Sequence, residues 1–386
     1  MASFSIALSG LTAASSDLDV TANNVANADT VGFKESRAEF ADVFAAGAVN
    51  LNTSAIGEGV RLASTAQQFT QGNISTSGSN LDLAISGDGF FTLQDPSSGT
   101  VYTRNGQFSE DKNGNVVTAT GQALQVYPPT VNGGFNTGAL TDLNLQTAQS
   151  QPLATTAGTV ILNLPAGSTP PAVAPFDPTN SATFNQSTST TVYDSLGNSF
   201  PASFYFTQTA VPGTWNVNMT VNGVLNPTTN TLTFSPTGAV TPPASGALNF
   251  PGFTPTDGAA AMNMTFNFAQ STQYGGGFGV TSITQNGFTT GQLSTVSIDP
   301  TGVVSAVYTN GRSTELGQLA LANFPNPQGL KQLGDTNWSE TFSSGTHISG
   351  TAGSAGFGSI QSGALEASNV DLTTELVNMI TAQRAF

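Results

Sequence analysis

The 386-residue sequence predicts a mainly β protein with α-helical termini. Two β-domains are expected, one discontinuous and one inserted into it, together with paired N- and C-terminal helices that form a coiled-coil-like inner domain. Three observations carry this fold class. At both chain ends apolar and small residues recur at alternating spacings of three and four, the period of a helical seam. Between the ends the period falls to two, broken by Gly-containing turns. Charged residues are only 8% of the chain, about a third of ordinary usage, while Gly, Ser, Thr and Asn abound, which is the balance of many-turned β structure.

The first element is the N-terminal helix. Phe4, Ala7, Leu11, Ala14, Leu18, Thr21, Val25 and Ala28 fall on one stripe, roughly 37 Å long at about 1.5 Å per residue. Its Ala positions suit close helix approach, and Thr21 weakens it near the end. Such a seam needs a partner, and "GALEASNVDLTTELVNMITAQRAF" at residues 363–386 supplies a second one: Leu365, Asn369, Leu372, Leu376, Met379, Gln383 and Phe386. Asn369 is placed to cap that run. Each could be an ordinary amphipathic helix lying on its own domain; two seams at opposite ends of one chain point instead to residues 1–28 and 363–386 as a helical inner domain, pairing with each other and with copies in neighbouring subunits, as in the wall of a tube.

Residues 29–72 and 351–362 are expected to be extended connections. The charges Lys34, Glu35, Arg37 and Glu39 in the first of them read as a solvated face or, more sharply, as a salt-sensitive subunit contact. The discontinuous β-domain covers 73–145 and 285–350. Here "LDLAISGDGFFTL", "VYTRNGQFSE" and "NVVTATGQALQVY" are short strands between turns, and "ELGQLALANFPNPQGL" re-enters the sheet left at Tyr127. The turns share one chemistry: "DKNG" at 111, "DSLG" at 194, "SPTG" at 235 and "DPTG" at 299, where Asp or Ser holds the turn backbone and Gly supplies positive φ. The inserted domain spans 146–284, with Asp177, Asp194 and Asp257 as its only carboxylates and Phe204, Tyr205, Phe206, Trp215, Phe234, Phe266 and Phe268 to fill a core.

Chemistry is scarce. His347 is the single histidine and has no local partner of the kind a triad or zinc site needs. Asp111, Asn113 and Asn115 have calcium-loop spacing but lack the Gly at position 6 and the bidentate Glu at position 12. "SGDGFF" lacks the Lys and the following helix of a phosphate loop, and Asp82 and Asp88 sit at turns rather than in a carboxylate pair. The reading is of a protein that is not an enzyme, with no catalytic, cofactor or metal residues. A net charge of −15 with eight basic residues, none of them between Asn113 and Gly311, excludes nucleic acid as a partner. No stretch approaches the apolar length of a membrane span, and "MASFSIALSG" lacks the features of a secretory signal.

The Asn-rich end of the first helix carries a resemblance. "ANNVANADTVGFK" resembles the N-terminal motif of the bacterial flagellar rod and hook axial proteins, with Asn24, Asn27, Thr30, Gly32, Phe33 and Lys34 at matching positions. Residues 363–386 resemble the C-terminal motif of that family, and "LDLAISGDGFFTL", "TVYDSLGN" and "LGQLALANFPNPQGL" look like internal blocks of its hook members. The resemblance implies a structural subunit that polymerises into the tubular, bendable hook, a universal joint carrying motor torque from rod to filament. It implies assembly contacts through the two seams and the Asn-rich motif, and a chain that runs on for a few further helical turns beyond Phe386. Implied partners are other copies of the chain, the distal-rod protein, the hook cap, the hook-length ruler, the hook-filament junction proteins and the type III export apparatus. The protein would lie outside the cell, exported without a cleaved signal peptide. A distal-rod or hook-associated junction protein, or a secreted β-rich adhesin or carbohydrate-binding protein, are the alternative readings.

Overall fold

Four turns of one design space the strands. In Asp111–Gly114, Asp194–Gly197, Ser235–Gly238 and Asp299–Gly302 the Gly N–H donates to the carbonyl of the first residue, whose own N–H donates to the carbonyl of the fifth. The side-chain oxygen of the first residue accepts the N–H of the fifth as well, at 2.8–3.2 Å. Each Gly has φ of 80–88°, a left-handed value that a side chain would resist. The chemistry expected from sequence is therefore present at every one of these turns.

The computed structural model describes residues 2–43, 57–146, 149–241, 243 and 245–385. Two units arise from it: Met1–Thr147 with Ser294–Val307 and Ser313–Phe386, and Ala148–Leu293 with Tyr308–Arg312.

The first unit begins with α1 (Ala2–Ala26) and ends with α2 (Leu372–Ala385). Its main sheet carries the neighbouring strands Val303–Tyr308, Ser313–Asn323, Ala123–Tyr127, Phe90–Asp95, Gly99–Thr103, Asn337–Ser339 and Lys331–Gly334. Ser313–Asn323 returns beside the strand ending at Tyr127, with Gln318 opposite Tyr127. Leu93, Leu124, Val126, Leu319 and Leu321 fill the core on one face, as alternation in half-buried strands requires. A second cluster packs Phe90, Tyr102, Phe324 and Trp338 edge to face.

The second unit is a sandwich of two five-stranded sheets. One holds Ala157–Pro165, Ala247–Phe253, Met262–Asn267, Thr272–Tyr274 and Gly279–Gln285; the other holds Gln186–Tyr193, Ser199–Gln208, Thr214–Val221, Val224–Leu225 and Asn230–Thr233. Their inner faces share one core, in which Phe204 of the second sheet meets Phe266 of the first at 4.8 Å between ring centroids.

Several expectations need correction. The second unit runs to Leu293 and recruits Tyr308–Arg312, beyond the expected 146–284, because Ser150 and Leu153 bridge to Gly291 and Phe288. Tyr205 is absent from the core: on a strand it must face opposite to Phe204 and Phe206, and it packs instead against Phe176 and Phe184. The stretch 29–72 is not simply extended, since Ser36–Asp42 pairs antiparallel with Val60–Gln67; residues 44–56 of that stretch lie outside the described residues. Nor is 351–362 a linker, because Ser359–Ser362 pairs with Leu83–Ser86. The C-terminal helix starts at Leu372 rather than 363, because Ala364–Glu366 is a strand on Ile74–Thr76. Gly363, at φ 70°, turns the chain from one of these strands into the next. Asp371 caps α2, accepting the N–H groups of Thr373 and Thr374 at 2.8 and 3.1 Å, the role expected of Asn369.

Candidate functional site and assembly surface

The two termini meet where α2 packs on the C-terminal half of α1. The contact is more polar than a heptad seam suggests. Thr21 and Asn24 are buried on α1, with Glu375 and Ala382 on α2. Asn24 grips the peptide of Ser36, donating to its carbonyl at 2.7 Å and accepting its N–H at 2.9 Å. Its amide also reaches the Glu375 carboxylate at 3.4 Å, and Asn378 donates to the other oxygen at 3.2 Å. Glu375 in the first turn of α2 also suits the positive end of the helix dipole. Nearby, burial raises the Glu35 carboxyl, the Glu375 charge adds to that, and Arg37 opposes it.

The apolar seam residues look the other way. Leu11 on α1 and Leu372 and Leu376 on α2 are exposed, as are Phe4, Leu8, Val377 and Ile380, with relative exposures from 42% at Leu11 to 76% at Phe4. Ala14, Leu18, Val25 and Met379 are half-buried, and Ala7 and Gln383 are exposed. Phe386, the last residue of the predicted seam, lies outside the described residues. On α2 the face turned to α1 is thus Glu375, Asn378 and Ala382, offset from the seam drawn through Leu372, Leu376, Met379 and Gln383.

The motif residues that follow α1 build a joint beneath the helices. Asn27 bonds back to Asn23 and accepts the Thr30 hydroxyl at 3.2 Å. Gly32, at φ 71°, sits with its α-carbon against the backbone of Asn105, where a side chain would collide, and its N–H donates to the Glu366 carbonyl. Phe33 is buried. Lys34 is neither solvated nor available to a neighbour: its ammonium lies 2.6 Å from Glu366, both side chains fully buried. Arg104 meets the other Glu366 oxygen at 3.2 Å. Leu365 lies in a strand opposite Ser75. Asn369 serves as a latch in a loop, accepting the Glu35 N–H at 2.7 Å and donating to the Gln68 carbonyl at 2.8 Å. Of the early charges only Arg37 and Glu39 form an exposed pair, at 3.3 Å.

Sequence reasoning missed Arg104, Glu366 and Glu375. The available signal was scarcity: in a chain with eight basic residues, each buried cation must find a carboxylate. His347 does find one, Glu340 at 2.7 Å, on a partly exposed loop. Among the described residues no group of His, Cys, Asp and Glu could hold a metal ion, and no helix is long and apolar enough to cross a membrane.

Family models match the chain in four segments. Residues 4–34 match the profile described as "Flagella basal body rod protein", 84–166 "Flagellar hook protein FlgE/F/G D1 domain", 163–288 "Flagellar basal body protein FlaE D2 domain" and 361–386 "Flagellar basal body rod FlgEFG protein C-terminal". A β body whose two chain ends meet as a helix pair, matched in this way, is a structural protein of the flagellar axis. The flagellar hook protein FlgE of Salmonella typhimurium is 40% identical over 100% of this chain and 94% of its own length. That of Escherichia coli is 39% identical over 99% and 94%, and that of Rhizobium meliloti 33% over 98% and 92%. The chain belongs to the flagellar hook protein FlgE family, and it is a structural subunit of the hook. This displaces the junction-protein and adhesin readings. The crystal structure of Helicobacter pylori flagellar hook protein FlgE2 shares the fold, with a TM-score of 0.56 over 76% of this chain and 100% of that chain at 15% identity.

Proposed function

We propose that the subunit polymerises into the hook tube through the outward apolar faces of α1 and α2, which pack against the helices of neighbouring copies along the channel. The observation that carries this is the set of exposed large side chains on those helices: Phe4, Leu8, Leu11, Leu372, Leu376, Val377 and Ile380. Burying such a side chain from full exposure stabilises by about 1.5–3 kcal/mol, and these keep 42–76% of their exposure, so an assembly that covers them gains about half that at each position. Asn24, Gly32, Phe33 and Lys34 act within the chain, fixing the direction in which α1 leaves the body. Asn27 and Thr30 brace the end of that helix.

The β body of the first unit would build the tube wall and the second unit its outer surface. The second unit holds Arg312 as its one basic residue, stacked on Phe288 at 4.6 Å. Its contacts with neighbours would be neutral patches of Ser, Thr and Asn, which exchange with water at little cost and allow sliding as the tube bends. Export through the type III apparatus, and contacts with the distal rod, cap, length ruler and junction proteins, complete the proposal.

The test is electron microscopy of the concentrated full chain. Leu11→Asp and Leu376→Asp should each abolish tubes while the thermal unfolding of dilute protein barely moves, since a carboxylate in an apolar seam costs several kcal/mol only where that seam is buried. Tubes of normal length from either variant would remove the helices as the assembly surface.

A further inference from the structure

The buried charge at the joint exceeds what an assembly surface needs. Lys34 lies in the segment leaving α1, Arg104 in the β body, and Glu366 in the strand before α2. Glu366 is 332 residues from Lys34 and 262 from Arg104 in sequence. Its carboxylate takes the Lys34 ammonium at 2.6 Å, the Arg104 guanidinium at 3.2 Å and the Gly72 N–H at 2.9 Å. Its main-chain carbonyl takes the Gly32 N–H at 2.8 Å. Two cations thus share one anion in a site closed to water, with relative side-chain exposures of 0% for Lys34 and Glu366 and 5% for Arg104.

The remaining contacts cannot replace that anion. Lys34 also donates to the Thr70 carbonyl at 2.8 Å, and Arg104 to the Gly87 carbonyl at 2.9 Å. The guanidinium lies 5.4 Å from the centre of the Phe90 ring. These are dipoles and a quadrupole, and the further carboxylate acting on Arg104, Asp88, is exposed and pulls less than Glu366; together they soften but do not cancel two buried positive charges. Burial is the largest influence on both cations and lowers their pKa, against the pull of Glu366.

We infer that Glu366 is a charge latch, through which the chain's C-terminal segment must dock before its N-terminal segment can lie on the body and aim α1. Strand Ala364–Glu366 is held by Ile74–Thr76, independently of residues 27–36. Those residues close on the C-terminal segment through Gly32, Lys34 and Glu35, the last by its N–H to Asn369, and on residues 67–70 through the Lys34 ammonium, the Glu35 carbonyl and Ser36. A copy therefore presents its helix pair only when both ends of its own chain are in place. This concerns the single subunit and stands whether or not the exposed helix faces are the assembly surface.

Hydrogen exchange on the full chain tests it, read on peptides covering 32–36 and, as control, 214–221. Glu366→Gln keeps the shape and removes the charge; the 32–36 segment should lose protection about a hundredfold or more, with 214–221 unchanged. Adding Lys34→Met removes one of the stranded cations and should restore much of the protection. A merely structural glutamate would give the opposite, the second substitution adding to the damage. Parent-like protection in Glu366→Gln, or no recovery in the double variant, would overturn the latch. If Glu366→Gln abolishes the unfolding transition of Trp338, the same double variant decides: return of the transition supports the latch and its absence refutes it.

Discussion

Phe204→Ala should divide the molecule's unfolding in two. The Phe204 ring is fully buried and meets Phe266, Phe250 and Phe268 edge to face at 4.8, 5.8 and 5.9 Å. Truncating a buried Phe to Ala costs about 3–5 kcal/mol, and the loss of three ring contacts worth about 0.5–1.5 kcal/mol each puts this site at the upper end. With a urea dependence of about 2 kcal/mol per molar, the second unit's midpoint should fall by roughly 2 M. The chain provides its own reporters, since Trp215 and Trp338 are its two tryptophans, buried one in each unit. Fluorescence in a Trp338→Phe background follows the second unit, and in a Trp215→Phe background the first. In each background the chain carrying Phe204→Ala is compared with the chain that keeps Phe204. A fall at Trp215 with Trp338 unmoved is the expected result. Equal shifts at both would show that the two units unfold as one, and a shift under about 0.5 M at Trp215 would show that the aromatic core is not what holds the sandwich.

Glu35→Gln should stabilise the first unit at neutral pH. The Glu35 carboxyl is raised mainly by burial, so between its ordinary value near 4.3 and the raised one the folded chain holds more protons, and stability falls as pH rises through that window; the Trp338 melting temperature of the parent should drop relative to the variant from about pH 4 to 7, and a relative rise would contradict the assignment. Asp95 has the opposite sign: hydrogen bonds from Ser97 and Gln122 hold its carboxyl well below the usual range, so its contribution is present above about pH 4 and lost in more acid solution. Asp95→Asn should flatten the acid limb of the Trp338 transition, and an unchanged limb would refute the role. Gly106→Ala places a methyl group on the Leu83 carbonyl oxygen, and should cost about 1–3 kcal/mol or more of first-unit stability; a parent-like Trp338 midpoint would show that the backbone yields freely there.

What was legible in the sequence was local. Each Asp-x-x-Gly turn holds its chemistry within five residues, so the hairpins can be read directly. The strand Ala364–Glu366 is three residues long, too short to show a period of two, and the helical pattern beyond it runs back over it. Asn369 carries a capping residue's identity but sits in a loop, and Asp371, two residues on, has the same chemistry at the real helix start. The link that joins Lys34 and Arg104 to Glu366 stays hidden, because no local pattern connects residues 332 and 262 positions apart.

The helix seams show a subtler gap between pattern and structure. An apolar period marks a face that must be covered somewhere, and says nothing of whether the cover belongs to the same chain. Within the subunit α1 and α2 join through Thr21, Asn24, Glu375 and Ala382, groups that a search for apolar residues passes over or treats as defects. Leu11, Leu372 and Leu376 carry the period and remain exposed. The intrachain joint is polar and geometrically exacting, because one Asn24 amide bonds the Ser36 main chain and the Glu375 carboxylate together; the outer faces are apolar and tolerant, because hydrophobic burial has no direction. If the outer faces meet neighbouring copies as proposed above, the subunit sets the angle of its own helices with a polar contact and joins its neighbours with an apolar one, on different faces of the same two helices.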